Sequence, residues 1–164
     1  MNRFHNTRAA KFIDSIPNCS LEAPDDTLTE RCRFNLSYFT VQSAGQDFGD
    51  WNGEELAKLL SCLKEYSTKP LTYWLTQPSG KKGTVYAHYG NFPLKSEFQH
   101  PKHVPHEARW GRFRLNWAAR LVGFTVPKEL EDKAHSTTGK RYCSNTFYVV
   151  FLDAKHKFWG SEPK

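Results

Sequence analysis

Residues 146–152, TFYVVFL, decide the fold of this chain. The run is almost continuously apolar and consists mainly of β-branched and aromatic residues, which favour extended backbone. A strand with one face in water alternates polar and apolar residues, whereas this run offers no polar face. It therefore predicts a central strand that is buried on both faces of a β-sheet.

Other strands are predicted upstream of this run. Gly111–Leu115 alternates polar and apolar residues, and Arg120–Val126 follows it after a short turn, so the two predict a β-hairpin. Arg33–Val41 alternates in the same way and predicts an earlier, half-buried strand. The side chains expected to share one face of that strand are Phe34, Leu36 and Tyr38.

Two helices are predicted between the first strand and the hairpin. In Glu54–Tyr66 leucines recur at helical spacing, with Glu at the start and Lys64 near the end to suit the helix dipole. Pro70 begins a second short helix, LTYWLTQ, which Pro78 ends. The leucines of the predicted apolar face are Leu56, Leu59, Leu60 and Leu63.

The rest of the chain shows little periodicity. Residues 1–30 predict an irregular N-terminal arm, 79–107 a loop, 127–145 an exposed insertion and 161–164 a polar tail. Residues 31–160 then form a single domain with the element order β-α-α-β-β-β. This order predicts an α+β fold in which a small antiparallel sheet carries both helices on one face.

Composition excludes several classes of protein. Of the 164 residues, 15% are aromatic, too many for a chain that is disordered throughout. Its apolar runs fall short of the roughly 18 residues that a membrane-spanning helix needs, so no membrane partner is expected. The N-terminus lacks the apolar core of a signal peptide, and the cysteines lie far apart, which favours reduced thiols in the cytoplasm. These cysteines are Cys19, Cys32, Cys62 and Cys143.

The net charge of +6 is concentrated in the second half of the chain. Residues 1–77 hold 8 Lys and Arg against 10 Asp and Glu, whereas residues 78–164 hold 15 against 7. Aromatic residues are interleaved with the basic ones between Arg109 and Arg120. Cations bind phosphates and aromatic rings stack on bases, so this pattern favours single-stranded nucleic acid. A basic surface that is merely solvated is the plain alternative.

Four pieces of the second half resemble the RelE/YoeB/HigB superfamily of bacterial toxins. FPLK (92–95), WGRFRL (110–115) and ARLVGFTV (119–126) look like the succession of motifs in YoeB-type toxins. FYVVFLDAKHKFW (147–159) is similar to the last strand and the basic, histidine-containing C-terminus of the family. The resemblance implies a RelE-like fold and an RNA-cleaving toxin of a toxin–antitoxin or related defence system.

Such a toxin is a metal-independent endoribonuclease that acts on mRNA, alone or on the ribosome, and is bound by an acidic antitoxin protein. Its reaction needs a base for the 2′-OH proton, a cation for the growing phosphoryl charge and an acid for the leaving 5′-oxygen. Arg120, on the matching strand, is the predicted cation. His156 is the predicted acid or base, since its two lysine neighbours favour the neutral imidazole. Asp153 is predicted to orient His156 or Arg120.

The chain departs from that family where the general base is concerned. Phe92 stands where the toxins carry an acidic residue, and Lys157-Phe158-Trp159 replaces the tyrosine that follows their histidine. Glu97 and Glu107 are the only acidic residues between the PLK motif and the second hairpin strand, so either is a candidate replacement. The chain is also considerably longer than a compact toxin of this class.

A wider set of basic and aromatic residues is predicted to contact RNA. Arg112 and Arg114 alternate with Phe113, so both are expected on the face opposite Phe113. The full set is Lys95, Arg109, Arg112, Arg114, Lys155, Lys157 and Trp159.

Two other functions remain open at this point. One is a non-catalytic nucleic-acid- or ribosome-binding protein of a mobile element or defence system, and the other is a protein whose basic half binds an acidic protein.

Neither a metal nor a cofactor is expected. His100, His103 and His106 share a spacing of three, which on a helix would align them as metal ligands. Pro101 and Pro105 interrupt any such helix, so these histidines are expected in a loop. The sequence has no GxGxxG, P-loop, HExxH or GxSxG motif.

Overall fold

The computed structural model describes residues 7–16, 20–23, 26–81, 83–115 and 119–160. Its helices are α1 (Thr7–Asp14), α2 (Gly53–Tyr66) and α3 (Leu71–Thr76). Its strands are β1 (Arg33–Asn35), β2 (Tyr86–Gly90), β3 (Arg109–Arg114), β4 (Arg120–Thr125) and β5 (Thr146–Asp153). Short 3-10 turns lie at Leu28–Glu30, Phe48–Asp50 and Lys128–Leu130.

The five strands form one open sheet in the order β1-β5-β4-β3-β2. The predicted α+β class is confirmed, but the sheet is mixed: β5 pairs antiparallel with β4 and parallel with β1. The prediction of a wholly antiparallel sheet was therefore wrong. Parallel neighbours need a long connection between them, and here that connection includes both predicted helices. The alternation of side chains in β1 does not reveal which strand it will pair with.

β5 is buried along almost its whole length, as its apolar run predicts. Of its eight residues, Tyr148 alone is partly exposed. The predicted hairpin strands are present beside it, since β3 and β4 pair antiparallel with Phe113 opposite Leu121. The predicted turn between these two strands includes residues 116–118, which lie outside the described residues.

Each face of the sheet carries its own apolar core. Helices α2 and α3 pack on the first face, as predicted, and that core includes Leu59, Tyr66, Trp74, Phe113 and Phe147. The irregular segment 91–108 and the turn after β5 cover the second face. Its core includes Phe98, Trp110, Phe124, Phe151 and Phe158. The candidate site lies at one end of this second face.

Strand β2 lies inside residues 79–107, where the sequence predicts a loop, so that prediction was wrong. The sequence of β2, YAHYG, has no clear alternation of polar and apolar residues. The strand forms because it pairs with β3, with Tyr86 opposite Phe113 and the two rings stacked at 4.8 Å between centroids. A contact distant in sequence, rather than local propensity, therefore adds this strand to the sheet.

The first strand ends earlier than predicted. β1 stops at Asn35, whose side-chain oxygen accepts a hydrogen bond from the Ser37 N–H at 2.9 Å and so forms a turn. The expected common face is broken by this turn. Phe34 packs against the first core, Leu36 is exposed and Tyr38 packs against the second core.

The remaining differences concern the segments around the sheet. The N-terminal arm contains α1, which buries none of its side chains, so it is less irregular than predicted. On α2, Leu59 and Tyr66 are buried but Leu60 is exposed, so the apolar stripe is narrower than expected.

Residues 127–145 include no buried residue. Cys19 and the tail 161–164 lie outside the described residues. Within the described chain, every helix is too short or too polar to cross a membrane.

Candidate active site

Three charged side chains stand side by side across three strands at one end of the second sheet face. Arg114 of β3 lies opposite Arg120 of β4, and Arg120 lies opposite Asp153 of β5. Side chains that are directly opposite on neighbouring strands project to the same face of a sheet. Strand pairing thus creates a charged row from residues that are distant in the sequence.

Arg112 lies one step further into the sheet, on the face opposite Phe113, as predicted. Its Nε donates a hydrogen bond to the hydroxyl oxygen of Tyr89 at 3.2 Å, and its Nη1 donates to the carbonyl oxygen of Thr84 at 3.0 Å. The side chain is buried. These contacts hold the Arg112 guanidinium in place and bring Tyr89, from β2, into the site.

Arg114 is held by the turn that precedes β2. Its Nη1 donates to the carbonyl oxygen of Ser79 at 2.7 Å. In the same turn, Gly80 and Gly83 have φ angles of +70° and +145°, in the left-handed region that favours glycine. A Cβ atom at Gly83 would lie 2.5 Å from the guanidinium. The glycines therefore let the turn close around Arg114.

Arg120 contacts His156 from the turn after β5. The distance from Arg120 Nη2 to His156 Nδ1 is 3.4 Å. A guanidinium offers only hydrogen-bond donors, so Nδ1 is the acceptor in a hydrogen bond between these two side chains. A neutral imidazole with its proton on Nε2 fits this contact.

The turn that carries His156 is built on the carboxylate of Asp153, which is 1% exposed. One oxygen accepts the backbone N–H groups of Lys155 and Lys157 at 3.2 and 3.0 Å, and the other accepts that of Phe158 at 3.0 Å. Between these anchors His156 has a φ of +58°, which is strained for a residue other than glycine. The Asp153 carboxylate thus positions His156 through the backbone.

Arg112, Arg120 and the Asp153 turn line a cleft of about 140 Å³, and Arg114 lies outside it. The polar and aromatic groups in its walls are Tyr89, Arg112, Arg120, Asp153, His156 and Trp159. Asp153 is the only carboxylate of the described chain that lines it, and three N–H groups already share its two oxygens. The positive field in the cleft favours an anion, and the volume suits a phosphate group.

The surroundings of Arg120 disfavour the positive charge of its guanidinium. Burial and the like charges of Arg112 and Arg114 lower the pKa of Arg120 to about 10, although Asp153 acts in the opposite direction. Arg120 therefore remains protonated at neutral pH. An anion in the cleft, beside Arg112 and Arg120, would offset the repulsion between these like charges.

The other predicted basic residues do not all reach the cleft. Arg109 lies four residues before Phe113 on β3, and side chains an even number of residues apart on a strand share a face. Arg109 therefore lies on the first sheet face, five residues along the strand from Arg114. Lys155 and Lys157 line a separate small depression on the far side of the turn. His156, the predicted acid or base, and the two lysines predicted to contact RNA beside it thus lie on two different surfaces.

Lys157 and the candidate general bases are engaged elsewhere. The Lys157 ammonium forms an ion pair with Glu97 at 2.7 Å. Glu107 lies beside His106 at 3.4 Å, in the irregular segment that covers the second core. Neither glutamate lines the cleft. The structure therefore does not bring either candidate base to Arg120.

Tyr89 is the site residue that the sequence reasoning missed. Its ring stacks on that of Trp159, with centroids 4.5 Å apart and an interplanar angle of 16°. Its hydroxyl accepts from Arg112, so the residue links the arginines to the aromatic wall of the cleft. The weak strand pattern of β2 gives no sign of this role, because every contact that defines it is distant in sequence.

The three spaced histidines lie in irregular backbone, as predicted. Their partners are the carbonyl oxygens of Pro101 and Tyr38 and the carboxylate of Glu107. Across the described ranges, no three His, Cys, Asp or Glu side chains are grouped so as to hold a metal ion.

Inorganic phosphate is expected to stabilise the protein against heat through this cleft. At ten times its Kd, a ligand that binds only the folded state stabilises it by about 1.4 kcal/mol. For a chain of this length, that corresponds to a rise in Tm of roughly 3–6 °C. Differential scanning fluorimetry at constant ionic strength measures the shift.

Two arginine variants serve as the matched pair for this measurement. Arg120→Gln removes a charge from the cleft and should lose most of the phosphate-dependent shift. Arg109→Gln removes the same charge from the other sheet face and should keep it. Equal shifts in both variants and in the wild type would show that phosphate does not bind in the cleft.

Comparison with known proteins gives no relative from which the site could be interpreted. No family model, curated protein or solved structure matches the chain.

Proposed function

We propose that this protein is a metal-independent endoribonuclease that cleaves mRNA in the cytoplasm, as the toxin of a toxin–antitoxin or related defence system. The observation that carries the proposal is the 3.4 Å contact between Arg120 and His156 in a positively charged cleft. A phosphate-binding cation and a neutral imidazole are two of the groups that such a reaction requires.

Cleavage begins with attack of the ribose 2′-oxygen on the adjacent phosphorus atom. When a phosphate oxygen takes the Nη2 donor of Arg120, the Nδ1 lone pair of His156 is released and can accept the 2′-OH proton. The guanidinium stabilises the charge that grows on the phosphoryl oxygens. The bond to the 5′-oxygen then breaks, and the imidazolium can return the proton to that leaving group. The products are a 2′,3′-cyclic phosphate and a 5′-hydroxyl.

The location of the toxin-like motifs supports this reading of the cleft. WGRFRL contains all of β3 except Arg109, ARLVGFTV contains β4, and FYVVFLDAKHKFW contains most of β5 and the turn with His156. Helices α2 and α3 lie on the opposite face of the sheet. The RelE-like scaffold is part of the proposal, with β2 and α1 as additions to the expected element order.

An acidic antitoxin segment is the proposed protein partner. The cleft holds Arg112 and Arg120 with one buried carboxylate, so acidic side chains would compete there with RNA phosphates. Binding of the antitoxin would then block the cleft directly. The ribosome is a further proposed partner, since it would present the mRNA.

A non-catalytic nucleic-acid- or ribosome-binding protein is the second candidate function. The observation that favours it is the state of the carboxylates: Asp153 is committed to three backbone N–H groups, and Glu97 is paired with Lys157. If His156 does not serve as the base, the cleft would bind a phosphate without cleaving RNA.

Controlled expression in bacteria distinguishes the two candidates. Wild-type protein should arrest growth and fragment a reporter mRNA, while His156→Ala should abolish both effects. His106→Ala removes an exposed histidine from a distant loop and should behave as the wild type. Growth arrest with intact mRNA, or fragmentation that persists in His156→Ala, would contradict the ribonuclease proposal.

A further inference from the structure

A second, larger groove adjoins the cleft. It has a volume of about 670 Å³ and is lined by Tyr89, Asn91, Phe92, Leu94, Lys95 and Trp159, among others. Leu94 is fully exposed and Trp159 is half exposed. Exposed apolar and aromatic side chains around a concave surface indicate a binding site rather than a core.

The cleft and the groove share a wall. Tyr89 and Trp159 line both, and their stacked rings stand between the two spaces. Tyr89 covers one face of the Trp159 indole, yet half of the Trp159 surface stays exposed. In a nucleotide, a single sugar joins the base to its phosphate, so a site for the base must adjoin the site for the phosphate.

The two spaces also differ in the chemistry they suit. The cleft of about 140 Å³ is charged and matches a phosphate group, whereas the groove falls within the range of roughly 300–1,000 Å³ typical of pockets for small organic ligands. Its walls combine aromatic rings with the amide of Asn91 and the ammonium of Lys95. A flat ring with polar edges, flanked by phosphates, fits this combination.

Contacts within the protein hold together the two chain segments that form the groove. The backbone N–H of Glu97 donates to the carbonyl oxygen of Lys157 at 3.0 Å, and the side chains of the same two residues form the ion pair. A Cβ atom at Gly160 would lie 3.3 Å from the carbonyl oxygen of Lys95, so the two segments run close together. A ligand would therefore meet rings that are already held in place.

We propose that the groove binds an unpaired RNA base, stacked on Trp159, from the nucleotide next to the phosphate in the cleft. This inference rests on the proposed function, because it takes RNA as the ligand of the cleft. It adds that the substrate must be single-stranded at this position, since a base in a duplex has no free face to stack.

Two hexanucleotides of 2′-O-methyl RNA test the inference, one with its bases and one fully abasic. Neither has the 2′-OH that cleavage requires, so binding is measured without reaction. Fluorescence anisotropy of 5′-labelled probes gives each Kd. We expect Trp159→Ala to weaken binding of the base-bearing probe about tenfold and that of the abasic probe less than about twofold. Trp159→Tyr should restore most of the difference.

Two controls make the outcomes separable. Arg120→Ala should weaken both probes by the same factor, because the phosphates are common to them. Tyr73→Ala removes a half-exposed ring on α3, on the other face of the sheet, and should change neither Kd.

The inference is overturned if Trp159→Ala weakens both probes equally or leaves both unchanged while the wild type cleaves RNA. The proposed function fails separately, and the inference stands, if base-dependent binding through Trp159 is found in a protein that does not cleave. If the wild type binds neither probe, both are overturned.

Discussion

Replacing Arg120 by alanine is expected to lower the rate constant of RNA cleavage about 10²- to 10³-fold, the loss typical of removing one group that stabilises transition-state charge. Arg120 is the central member of the charged row, opposite both Arg114 and Asp153. It is also the residue that contacts His156. Its loss would remove the proposed phosphate-binding donors and the contact with Nδ1 of His156. Single-turnover cleavage of a labelled RNA measures the effect.

The structure also predicts that this loss of activity leaves the fold intact. Burial and two neighbouring arginines disfavour the charged form of Arg120, as the lowering of its pKa to about 10 indicates. Removing the charge should therefore leave the Tm unchanged or raise it. Arg120→Lys keeps the charge without the paired donors and should retain intermediate activity. Arg109→Ala should cleave as the wild type does.

Either of two results would contradict the proposed role of Arg120 in cleavage. One is that Arg120→Ala cleaves RNA at the wild-type rate. The other is a loss of cleavage that is accompanied by unfolding, since the role would then be structural. Circular dichroism of each variant separates these cases.

Asp153→Ala is expected to lower the free energy of unfolding by about 3–5 kcal/mol, as for breaking a buried charged network. Three backbone N–H groups would lose their acceptor in a turn that begins at the buried Asp153 and ends at the buried Phe158. The arginines would at the same time lose their one buried counter-charge. Equilibrium unfolding in urea measures the change. Cleavage should be lost as well, because the turn that holds His156 at a positive φ would relax.

Two further variants serve as comparisons for the loss of stability expected in Asp153→Ala. Asp153→Asn keeps one acceptor oxygen, so its loss of stability should be clearly smaller. Glu107→Ala removes an exposed carboxylate whose one close partner is a surface histidine, and should change stability by no more than about 0.5 kcal/mol. A loss below about 1 kcal/mol for Asp153→Ala would contradict the anchoring role of its carboxylate.

Local patterns in the sequence predict the central part of the fold. The apolar run of β5 and the alternation of β3 and β4 predict three neighbouring strands and place Arg112 and Arg114 on one face. The same alternation places Arg109 on the face of Phe113, because the two residues are four positions apart. The prediction that Arg109 lies with the other arginines rests on its charge alone, and charge carries no information about the sheet face.

The rest depends on contacts that no local pattern encodes. β1 pairs in parallel with β5, a strand from the other end of the domain sequence, and the residues of β1 do not indicate this partner. β2 joins the sheet by pairing with β3, and with it Tyr89 reaches Arg112 and Trp159. The division of Lys155-His156-Lys157 between two surfaces follows from the Asp153 turn, whose geometry is not visible in the order of the residues.

The most direct test of the central claim is the chemistry of the RNA ends that the purified protein produces. The protein is incubated with a single-stranded RNA in excess EDTA, and the products are examined by mass spectrometry. We expect fragments with 2′,3′-cyclic phosphate and 5′-hydroxyl ends from the wild type, far fewer from Arg120→Ala and none from His156→Ala. RNA that stays intact with the wild type, or equal amounts of these fragments from both variants, would contradict the proposed reaction.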